Sequence, residues 1–590
     1  MRFVIYSLLT YFLLTFYTSK AQKQASLWYF GRNNGLDFSD TPPKIITNGA
    51  LNTSEGCATI ADQEGRLLFY TDGMSVWDRT HKQMPNGRGL KGHWTSTQSA
   101  IIIPKPGDES IYYIFTADEG GYENLPNSGI HYSEVNMCLN NGFGDVVAAT
   151  KNTFLYKPAT ERLSAVFHVN RTDVWVMTHE WGSNRFLAYL VTEQGVSGQP
   201  IISHSGSEHE YLTQNRIGYS NTIGEMKFSP NGKKLALAVQ GQNLAQVFDF
   251  DATSGIVSNP VTLSEGFSDD PLLKPYGISF SANSKLLYVG ASESRKIYQF
   301  NLAAGSAQTI CESRYSIDAE KIPYYSVYGL QLALNGKIYV NQPNEHATYA
   351  GVIHDPDKPG LACRFNSQEI NPGNTHNFYT WACFPNFISS YFDADPYITY
   401  QKACENTLYN FTIQNNLAVT TVEWQFGDTT TSEASNQSTE LAPVHHFSKP
   451  GIYSVHARVS LTDGSVQELE KKIIVSPAFS LGNDTLLCNG ESLLLDVSSQ
   501  QGVYRWQDGS AKSTFTVKQS GVYWVDICTN GCSTRYTIEV TYERPLEVNL
   551  GADQIICDDK PVLLSAHTKF ASLYTWQDGS TNASFIIYTG

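Results

Sequence analysis

A strand–turn–strand pattern recurs at a fixed spacing in the middle of the chain. Its clearest copies read MKFSPNGKKLALA, ISFSANSKLLYVG and LQLALNGKIYVNQ, and their anchor residues Phe228, Phe280 and Leu332 lie 52 residues apart. A unit of this kind cannot bury both of its faces alone, so neighbouring units must stack. Short strands that repeat at intervals of about 40–60 residues are typical of a β-propeller.

Weaker copies of the same pattern begin at Cys57, Ser99 and Ser164. Residues 22–395, divided by the 52-residue spacing, give about seven blades, whereas the six visible anchors leave six blades as the alternative. We expect the N-terminal strand SLWYFG to complete the last blade beside CFPNFISSYF, because closure of the ring removes exposed sheet edges. The predicted fold is all-β, with a β-propeller over residues 22–395.

The N-terminus has the pattern of a secretory signal peptide. Arg2 precedes the apolar stretch Phe3–Tyr17, and Ser19-Lys20-Ala21 provides a cleavage site, so residues 1–21 are assigned to the signal peptide. No other stretch approaches the roughly 18 apolar residues of a membrane span. The sequence therefore predicts a secreted or cell-surface protein without a transmembrane span in the mature chain.

The charge balance narrows the range of partners. The chain has 41 basic and 56 acidic residues, a formal net charge of −15. A nucleic-acid-binding protein would need a basic face, so nucleic acid is excluded as an expected partner.

One stretch after the propeller reads VEWQFGDTTTSEASNQSTELAPVHHFSKPGIYSVHARVSLTDG. It resembles a PKD (polycystic-kidney-disease-type) domain, and the resemblance implies an immunoglobulin-like β-sandwich over residues 396–476. We interpret this module as a spacer or weak binding module without a reactive group of its own. The residues that match the motif, and to which we assign a structural role, are Trp424, Phe426, Gly427, Asp428, His446, Gly451 and Tyr453.

Two related segments follow, at residues 477–544 and 545–590. A Trp-Gln-Asp-Gly turn recurs unchanged in both, and they look like immunoglobulin-like modules. In the first, Cys488 and Cys532 lie near the first and a late strand, so we expect a Cys488–Cys532 disulfide with Cys528 left over. The second stops at Gly590, the counterpart of Gly521, which suggests a truncated module and a natural protein that continues.

The sequence contains none of the HExxH, GxSxG, GxxxxGK[ST] or EF-hand motifs. His179-Glu180 is a candidate acid–base pair, and the loop SHSGSEHEY, with His204 and His209, is a candidate metal site. Their spacing fits no fixed strand or helix geometry for a metal site, so we predict no catalytic residue and no metal ligand. We expect no cofactor, but the sequence leaves open whether the protein binds a structural calcium ion.

Aromatic residues in two polar loops are the best candidates for ligand contact. WYFGRNNGLDF and KGHWTSTQS combine aromatic rings with amides and hydroxyls, a pairing that suits sugars. Trp28, Tyr29 and Trp94 are the predicted ligand-binding residues. The alternative is that these rings pack in the core or between blades.

The chain as a whole resembles a family of secreted Bacteroidota proteins with PKD modules and type IX secretion, of the gliding-motility-associated kind. The stretches Trp28–Gly31, Asn52–Ile60, Leu67–Gly73 and Met84–Gly87 carry this resemblance, and the late blades resemble WD-repeat-like and YVTN-type propellers. It implies an adhesion protein whose propeller binds a glycan or a cell-surface protein. It also implies outer-membrane attachment through a C-terminal region missing here. The alternative is a polysaccharide-active propeller enzyme with a PKD-like accessory module, but the sequence favours binding over catalysis.

Overall fold

The computed structural model describes residues 23–588, except 121–127, 214–215, 265–272, 294, 319–325, 343–348, 371–383, 403–406, 415–418, 431, 433–434, 463, 476–477, 501, 530–531, 544–546, 557–559 and 569–572. The predicted signal peptide lies outside the described residues. The chain divides into two compact units, the first made mainly of the residues up to Pro477 and the second mainly of those from Ala478 onward.

Seven consecutive antiparallel sheets make up the described part of residues 23–370. In chain order, and separated by sheet, their strands are β1 (Leu27–Phe30), β2 (Asn34–Asp37), β3 (Lys44–Ile46); β4 (Ala58–Ala61), β5 (Leu67–Thr71), β6 (Ser75–Asp78), β7 (Gln83–Arg88); β8 (Ala100–Lys105), β9 (Asp108–Ala117), β10 (Ile130–Asn136), β11 (Asp145–Val146), β12 (Thr153–Tyr156); β13 (Ser164–Phe167), β14 (Val174–His179), β15 (Arg185–Thr192), β16 (Gly195–Val196), β17 (Ile201–His204); then, after the short hairpin β18 (Leu212–Thr213) and β19 (Arg216–Ile217), β20 (Met226–Phe228), β21 (Lys234–Val239), β22 (Leu244–Asp251), β23 (Ile256–Thr262); β24 (Pro275–Phe280), β25 (Leu286–Ala291), β26 (Lys296–Asn301), β27 (Tyr315–Asp318); β28 (Leu330–Leu332), β29 (Ile338–Gln342), β30 (Tyr349–Ile353), β31 (Phe365–Ile370).

The repeat seen in the sequence corresponds to the first two strands of each blade. Phe228, Phe280 and Leu332 end β20, β24 and β28, the innermost strands of blades 5 to 7. In blades 5 and 7 the turn that follows holds a glycine in the left-handed region, Gly232 at φ 71° and Gly336 at φ 73°. The prediction of a seven-bladed propeller is confirmed in the residues that the structure describes.

Each blade contacts the next, and the seventh contacts the first. The contacts in ring order are Tyr29 N to Thr59 Oγ1 (3.1 Å), Ser99 Oγ to Asp72 O (2.8 Å), Gln98 N to Glu161 O (3.1 Å), Phe228 N to Ser164 Oγ (3.3 Å), Glu225 N to Tyr276 O (2.8 Å), Tyr288 Oη to Pro356 O (2.8 Å), and the ring of Tyr339 edge-on to Trp28 (5.5 Å). The ring is therefore closed through side chains between blades 7 and 1.

The expected pairing of the N-terminal strand beside residues 384–392 is wrong. Strand β1 pairs with β2 and is the first strand of a separate sheet. Residues 384–392, here called the axial plug, instead run through the middle of the ring. Ile388 forms a parallel bridge with Ala165 in blade 4, and Asn386 bonds backbone carbonyls of three different blades. The plug thus replaces strand exchange as the element that joins the blades.

The side chain of Asn386 gives the plug a testable role. Its amide donates to Leu163 O (2.8 Å) and Ala100 O (3.4 Å), and all of these groups are buried. Asn386→Ala would leave both carbonyls unsatisfied, so we expect the free energy of unfolding to fall by about 1–3 kcal/mol. Calorimetry of the full chain measures this. Asn366→Ala, on the exposed outer strand β31, is the control and should change stability by less than about 0.5 kcal/mol.

The segment after the plug folds as a β-sandwich. One sheet contains β32 (Tyr397–Lys402), β33 (Leu408–Gln414) and β36 (Val444–His446). The other contains β34 (Val419–Gln425), β35 (Gln437–Ser438), β37 (Gly451–Leu461) and β38 (Val466–Val475). Their inner faces share one apolar core.

Several of the motif residues lie in the core of this sandwich. Trp424 and Phe426 are buried side by side, and Gly427 adopts φ 73° where an added Cβ would lie 2.5 Å from Ser454 O. Asp428 is fully buried and accepts hydrogen bonds from Ser448 N (2.7 Å) among others.

The assignment of His446 to the structural motif needs correction. His446 lies on the surface and contacts Thr407 Oγ1 at 2.9 Å, whereas His445 is buried and stacks on Phe426 with ring centroids 4.2 Å apart. The inward and outward positions of β36 alternate, so a shift of one residue exchanges the two histidines. Gly451 opens β37, and the hydroxyl of Tyr453 donates to Lys449 O at 2.8 Å.

The second unit holds a further sandwich with Trp506 in its core. Its strands, with the separate hairpin that follows, are β39 (Thr485–Leu487), β40 (Leu493–Asp496), β41 (Val503–Trp506), β42 (Thr514–Val517), β43 (Gly521–Thr529), β44 (Cys532–Tyr542), β45 (Val562–Ser565) and β46 (Ser584–Ile587). The predicted Cys488–Cys532 disulfide is wrong, because Cys488 carries a free, exposed thiol. Cys528, expected to be left over, is disulfide-bonded.

Helical structure in the described residues is limited to α1 (Ala307–Glu312) and the 3-10 turns Asn140–Gly142, Tyr219–Asn221, Gln240–Gln242, Gly360–Cys363 and Ser389–Phe392. Within that part of the chain, none of the helices has the length and apolar character needed to cross a membrane.

Candidate functional site

The loops that lead into the first strands of blades 2, 3 and 4 meet at one end of the propeller axis. Each places a polar residue three positions before its strand: Glu55 before Ala58, Thr97 before Ala100, and Glu161 before Ser164. Because these strands all point the same way along the axis, the three side chains converge. We call this region the axial mouth.

Glu161 is the best-satisfied carboxylate of the axial mouth. Its side chain is buried and accepts hydrogen bonds from Thr97 N (2.9 Å), Thr97 Oγ1 (2.9 Å), Gly120 N (2.9 Å) and Thr222 Oγ1 (3.1 Å). Burial raises the pKa of Glu161, and these four donors oppose that effect by stabilising the charged form. We therefore place the ionised carboxylate of the mouth on Glu161.

Glu55 lies beside Glu161 and is less deeply buried. It accepts a hydrogen bond from the Tyr276 hydroxyl at 2.9 Å. Burial, and then the charge of Glu161, raise the pKa of Glu55 to about 8. At neutral pH the two carboxyl groups thus hold one proton, which we assign to Glu55.

Arg162 supplies the positive charge next to this pair. Its guanidinium is fully buried and donates to backbone carbonyls: Nη2 to Ile223 O (2.7 Å) and Ala238 O (2.6 Å), Nη1 to Asn221 O (3.2 Å), and Nε to Ala238 O (3.1 Å). Burial lowers the pKa of Arg162, and the charge of Glu161 opposes that effect. With Glu55 protonated, the charges of Arg162 and Glu161 balance.

The interior of the axis is packed. Lys227 pairs with Glu225 at 3.1 Å and also bonds Leu330 O. A cavity of about 10 Å³ lies between Thr97, Gln98, Lys227 and the axial plug, and a second of about 20 Å³ lies further along the axis. Each has room for one or two water molecules only. Neither cavity has room for a larger ligand such as a sugar.

Trp94 is an exposed aromatic residue of this surface. The residue is 48% exposed. Its backbone carbonyl accepts hydrogen bonds from Glu55 N (3.2 Å) and Thr53 Oγ1 (3.1 Å). These bonds fix the loop that carries Trp94 to the loop that carries Glu55. Next to it, His93 Nδ1 lies 3.3 Å from Glu119 Oε2.

Trp28 and Tyr29 are not part of this surface, so two of the three predicted ligand-binding residues are wrong. Trp28 is fully buried, and its Nε1 donates to Ala25 O at 3.0 Å. Tyr29 is also buried and stacks on Tyr70 with ring centroids 4.6 Å apart. Trp28 packs between blade 1, blade 7 and the axial plug, and Tyr29 packs between blades 1 and 2, so both rings lie in the core, as in the alternative interpretation.

The other polar motifs behave as structural groups. Glu180 is held by Arg185, Ser183 Oγ (2.7 Å) and the Tyr156 hydroxyl (2.5 Å). His204 is exposed whereas His209 is buried, so the two histidines of this loop do not share one environment. In the residues that the structure describes, no three His, Cys, Asp or Glu side chains gather closely enough to hold a metal ion.

Glu55 and Glu161 were missed by reasoning from the sequence. No motif marks them, because NTSEGCATI and ATERLSAV look unrelated. A signal was present nonetheless: once the blades are aligned on their first strands, both glutamates occupy the same repeat position as Thr97. Polar residues at an equivalent position in successive blades must meet around the axis.

Comparison with known proteins identifies one part of the chain. The family model described as PKD domain matches residues 393–475. No curated protein matches the chain.

Several solved structures are similar to this chain at low sequence identity. The extracellular domain assigned to a hybrid two-component system of Bacteroides thetaiotaomicron is 12% identical with a TM-score of 0.30, over 76% of this chain and 61% of that one. The chain thus spans less than two thirds of that structure's length. The β-propeller domain of Myceliophthora thermophila Cps50 is 9% identical with a TM-score of 0.32, over 54% of this chain and 94% of that one.

The PKD1 domain of the Vibrio cholerae metalloprotease PrtV is 24% identical with a TM-score of 0.12, over 14% of this chain and 98% of that one. The assignment of the module rests on the family match, with the sandwich topology in agreement. Residues 393–475 of this chain are a PKD domain.

Proposed function

We propose that this chain is a secreted, cell-surface-associated binding protein whose propeller binds a glycan at the axial mouth. The observation that carries the proposal is the half-exposed indole of Trp94, fixed by backbone hydrogen bonds to the loop of Glu55. An aromatic ring beside hydroxyl and carboxyl groups suits a sugar, whose apolar face stacks while its hydroxyls form hydrogen bonds.

The attachment of the PKD domain supports this choice of face. Lys471 Nζ donates to Arg171 O (2.8 Å) and Thr172 Oγ1 (2.6 Å), and Arg171 pairs with Asp393 at 2.7 Å. The loop of Arg171 follows β13, so it lies at the end of that strand opposite Glu161. The PKD domain therefore contacts the propeller at the end away from the axial mouth.

Secretion and a surface location belong to the same proposal. The N-terminal stretch with the pattern of a signal peptide and the PKD domain both suit an extracellular protein. In this proposal the PKD domain and the modules after it act as spacers that hold the propeller away from the cell surface.

The test is a glycan array probed with the mature chain, followed by titration of the glycans that bind. Trp94→Ala should weaken binding about tenfold, which is the scale of one lost aromatic contact. Thermal unfolding should stay unchanged, because the side chain is exposed. Phe154→Ala is the matched control, since Phe154 is equally exposed on the outer strand β12. Equal affinity of Trp94→Ala and the natural chain would exclude this face.

A second candidate is a polysaccharide-active enzyme, and the carboxyl pair Glu55–Glu161 favours it. A protonated and an ionised carboxyl group side by side are the usual equipment for cleavage of a glycosidic bond. However, the oxygens of Glu161 are occupied by four donors, which leaves them poorly placed to attack a substrate. Mass spectrometry of the bound glycans decides: shortened products that disappear in Glu55→Gln would support the enzyme.

A further inference from the structure

Two histidine rings are stacked inside the propeller. His179 ends β14, and His209 lies in the loop of residues 205–211 that follows β17. Their centroids are 3.7 Å apart with an interplanar angle of 18°, and both side chains are at most 1% exposed. This pair has no part in the proposed function.

The hydrogen bonds of the pair fit neutral rings only. His179 Nδ1 lies 2.8 Å from Glu180 O, and because a carbonyl only accepts, Nδ1 carries the proton. Nε2 then keeps a lone pair. Within the described part of the chain, neither His179 Nε2 nor His209 Nδ1 has a hydrogen-bond partner. A second proton on either ring would be a buried donor without an acceptor, pressed against another ring.

The charged groups around the pair also oppose protonation. Burial, and then the positive charge of Arg162, lower the pKa of His179 to about 3. Burial, His179 and Arg162 lower the pKa of His209 well below its usual value. The carboxylate of Glu180 is bound by Arg185, and Glu208 and Glu210 on either side of His209 are exposed.

The stacked pair lies where the loop is fastened to the propeller. His209 N donates to Ser183 O, and Gly182 N donates to His209 O, both at 2.9 Å. The next carbonyl, Glu210 O, accepts from Asn221 Nδ2 at 2.8 Å. Asn221 O in turn accepts from Arg162 Nη1. Release of the loop would therefore loosen the groups that hold Arg162 behind the axial mouth.

We propose that residues 205–211 form an acid-sensitive latch, closed while His179 and His209 are both neutral and opened when they take up protons. The direction of the pH dependence follows from the linkage between proton binding and closure of the latch. Both histidines have a lower pKa in the closed state than in the open one, so the stabilisation is complete above the open-state pKa of about 6.5 and is lost as the pH falls below it.

Proton uptake by the two histidines in the open state determines how strongly the opening constant of the latch depends on pH. Between pH 7 and pH 5, each histidine with an open-state pKa near 6.5 raises the opening constant about 25-fold, so the two together raise it several hundredfold. Other titrating groups act on the whole fold, so they should change exchange in distant strands as well.

Hydrogen exchange of the full chain at pH 7 and pH 5, corrected for the intrinsic pH dependence of exchange, measures the opening. The protection factor of residues 205–211 should fall several hundredfold, while β25 in blade 6 keeps its protection. His209→Phe keeps a stacked ring without its proton site and should reduce the change to about 25-fold. His204→Phe, in the exposed neighbouring position, should leave the change intact.

The natural chain alone decides the proposal if a variant fails to fold. Unchanged protection of residues 205–211 at pH 5 would overturn it. An equal loss of protection in β25 would also overturn it, since that would be acid unfolding of the propeller and not release of a latch. A full several-hundredfold change that persists in His209→Phe would show that the stacked pair is not the cause.

Discussion

Replacing Trp28 with alanine is expected to lower the free energy of unfolding of the propeller by about 3–5 kcal/mol. The indole is fully buried between blade 1, blade 7 and the axial plug. Its ring centroid lies 4.6 Å from that of Phe38, 5.5 Å from that of Tyr339 and 5.4 Å from that of Phe384. Alanine would leave a cavity at the closure of the ring, where three separate elements cannot easily collapse.

Calorimetry of the full chain measures this loss, and Trp94→Ala is the control with the same chemical change. Because Trp94 is half exposed, its replacement should change stability by less than about 0.5 kcal/mol. Ligand titration should reverse the order of the two variants. Trp94→Ala should lose affinity for the glycan, whereas the folded fraction of Trp28→Ala should keep the affinity of the natural chain. A Trp28→Ala variant that stays stable but binds the glycan more weakly would show that Trp28 is a ligand-binding residue and not a core residue.

The contrast between these tryptophans shows what the sequence could and could not tell. The 52-residue spacing is a periodic property of the backbone, and it predicted the blades correctly because every unit must bury the same faces. Exposure of a ring is not periodic. Trp28 lies in a polar stretch, WYFGRNNGLDF, but it is buried on β1, as are the two residues after it, and it meets residues more than 300 positions away, such as Tyr339.

The axial plug could not be predicted for a related reason. CFPNFISSYF has the composition of a strand, and closure by strand exchange is a common solution for a propeller. The plug depends instead on Asn386 reaching carbonyls in blades 3 and 4 at once, a contact that exists only after the ring has formed. Likewise, the one-residue difference between His445 and His446 depends on strand register, which local composition leaves open.

Arg162→Met is expected to lower the free energy of unfolding by about 3–5 kcal/mol, the usual effect of removing one partner from a buried charged network. Methionine fills a similar volume but leaves the carbonyls of Ala238, Ile223 and Asn221 without their donors. It also removes the buried positive charge that balances Glu161. Arg364→Met is the control: Arg364 forms an exposed ion pair with Asp355, so its loss should change stability far less than the loss of Arg162.

The pH dependence of this loss tests the charge assignment at the axial mouth. Without Arg162, the pair Glu55–Glu161 would bind its protons more tightly in the folded state, and carboxyl groups with a raised pKa favour folding at low pH. The deficit of Arg162→Met relative to the natural chain should therefore be smaller at pH 6.5 than at pH 8.5. A deficit that is equal at both values would mean that Arg162 acts only through its hydrogen bonds to the backbone, and that Glu161 is not the charge it balances.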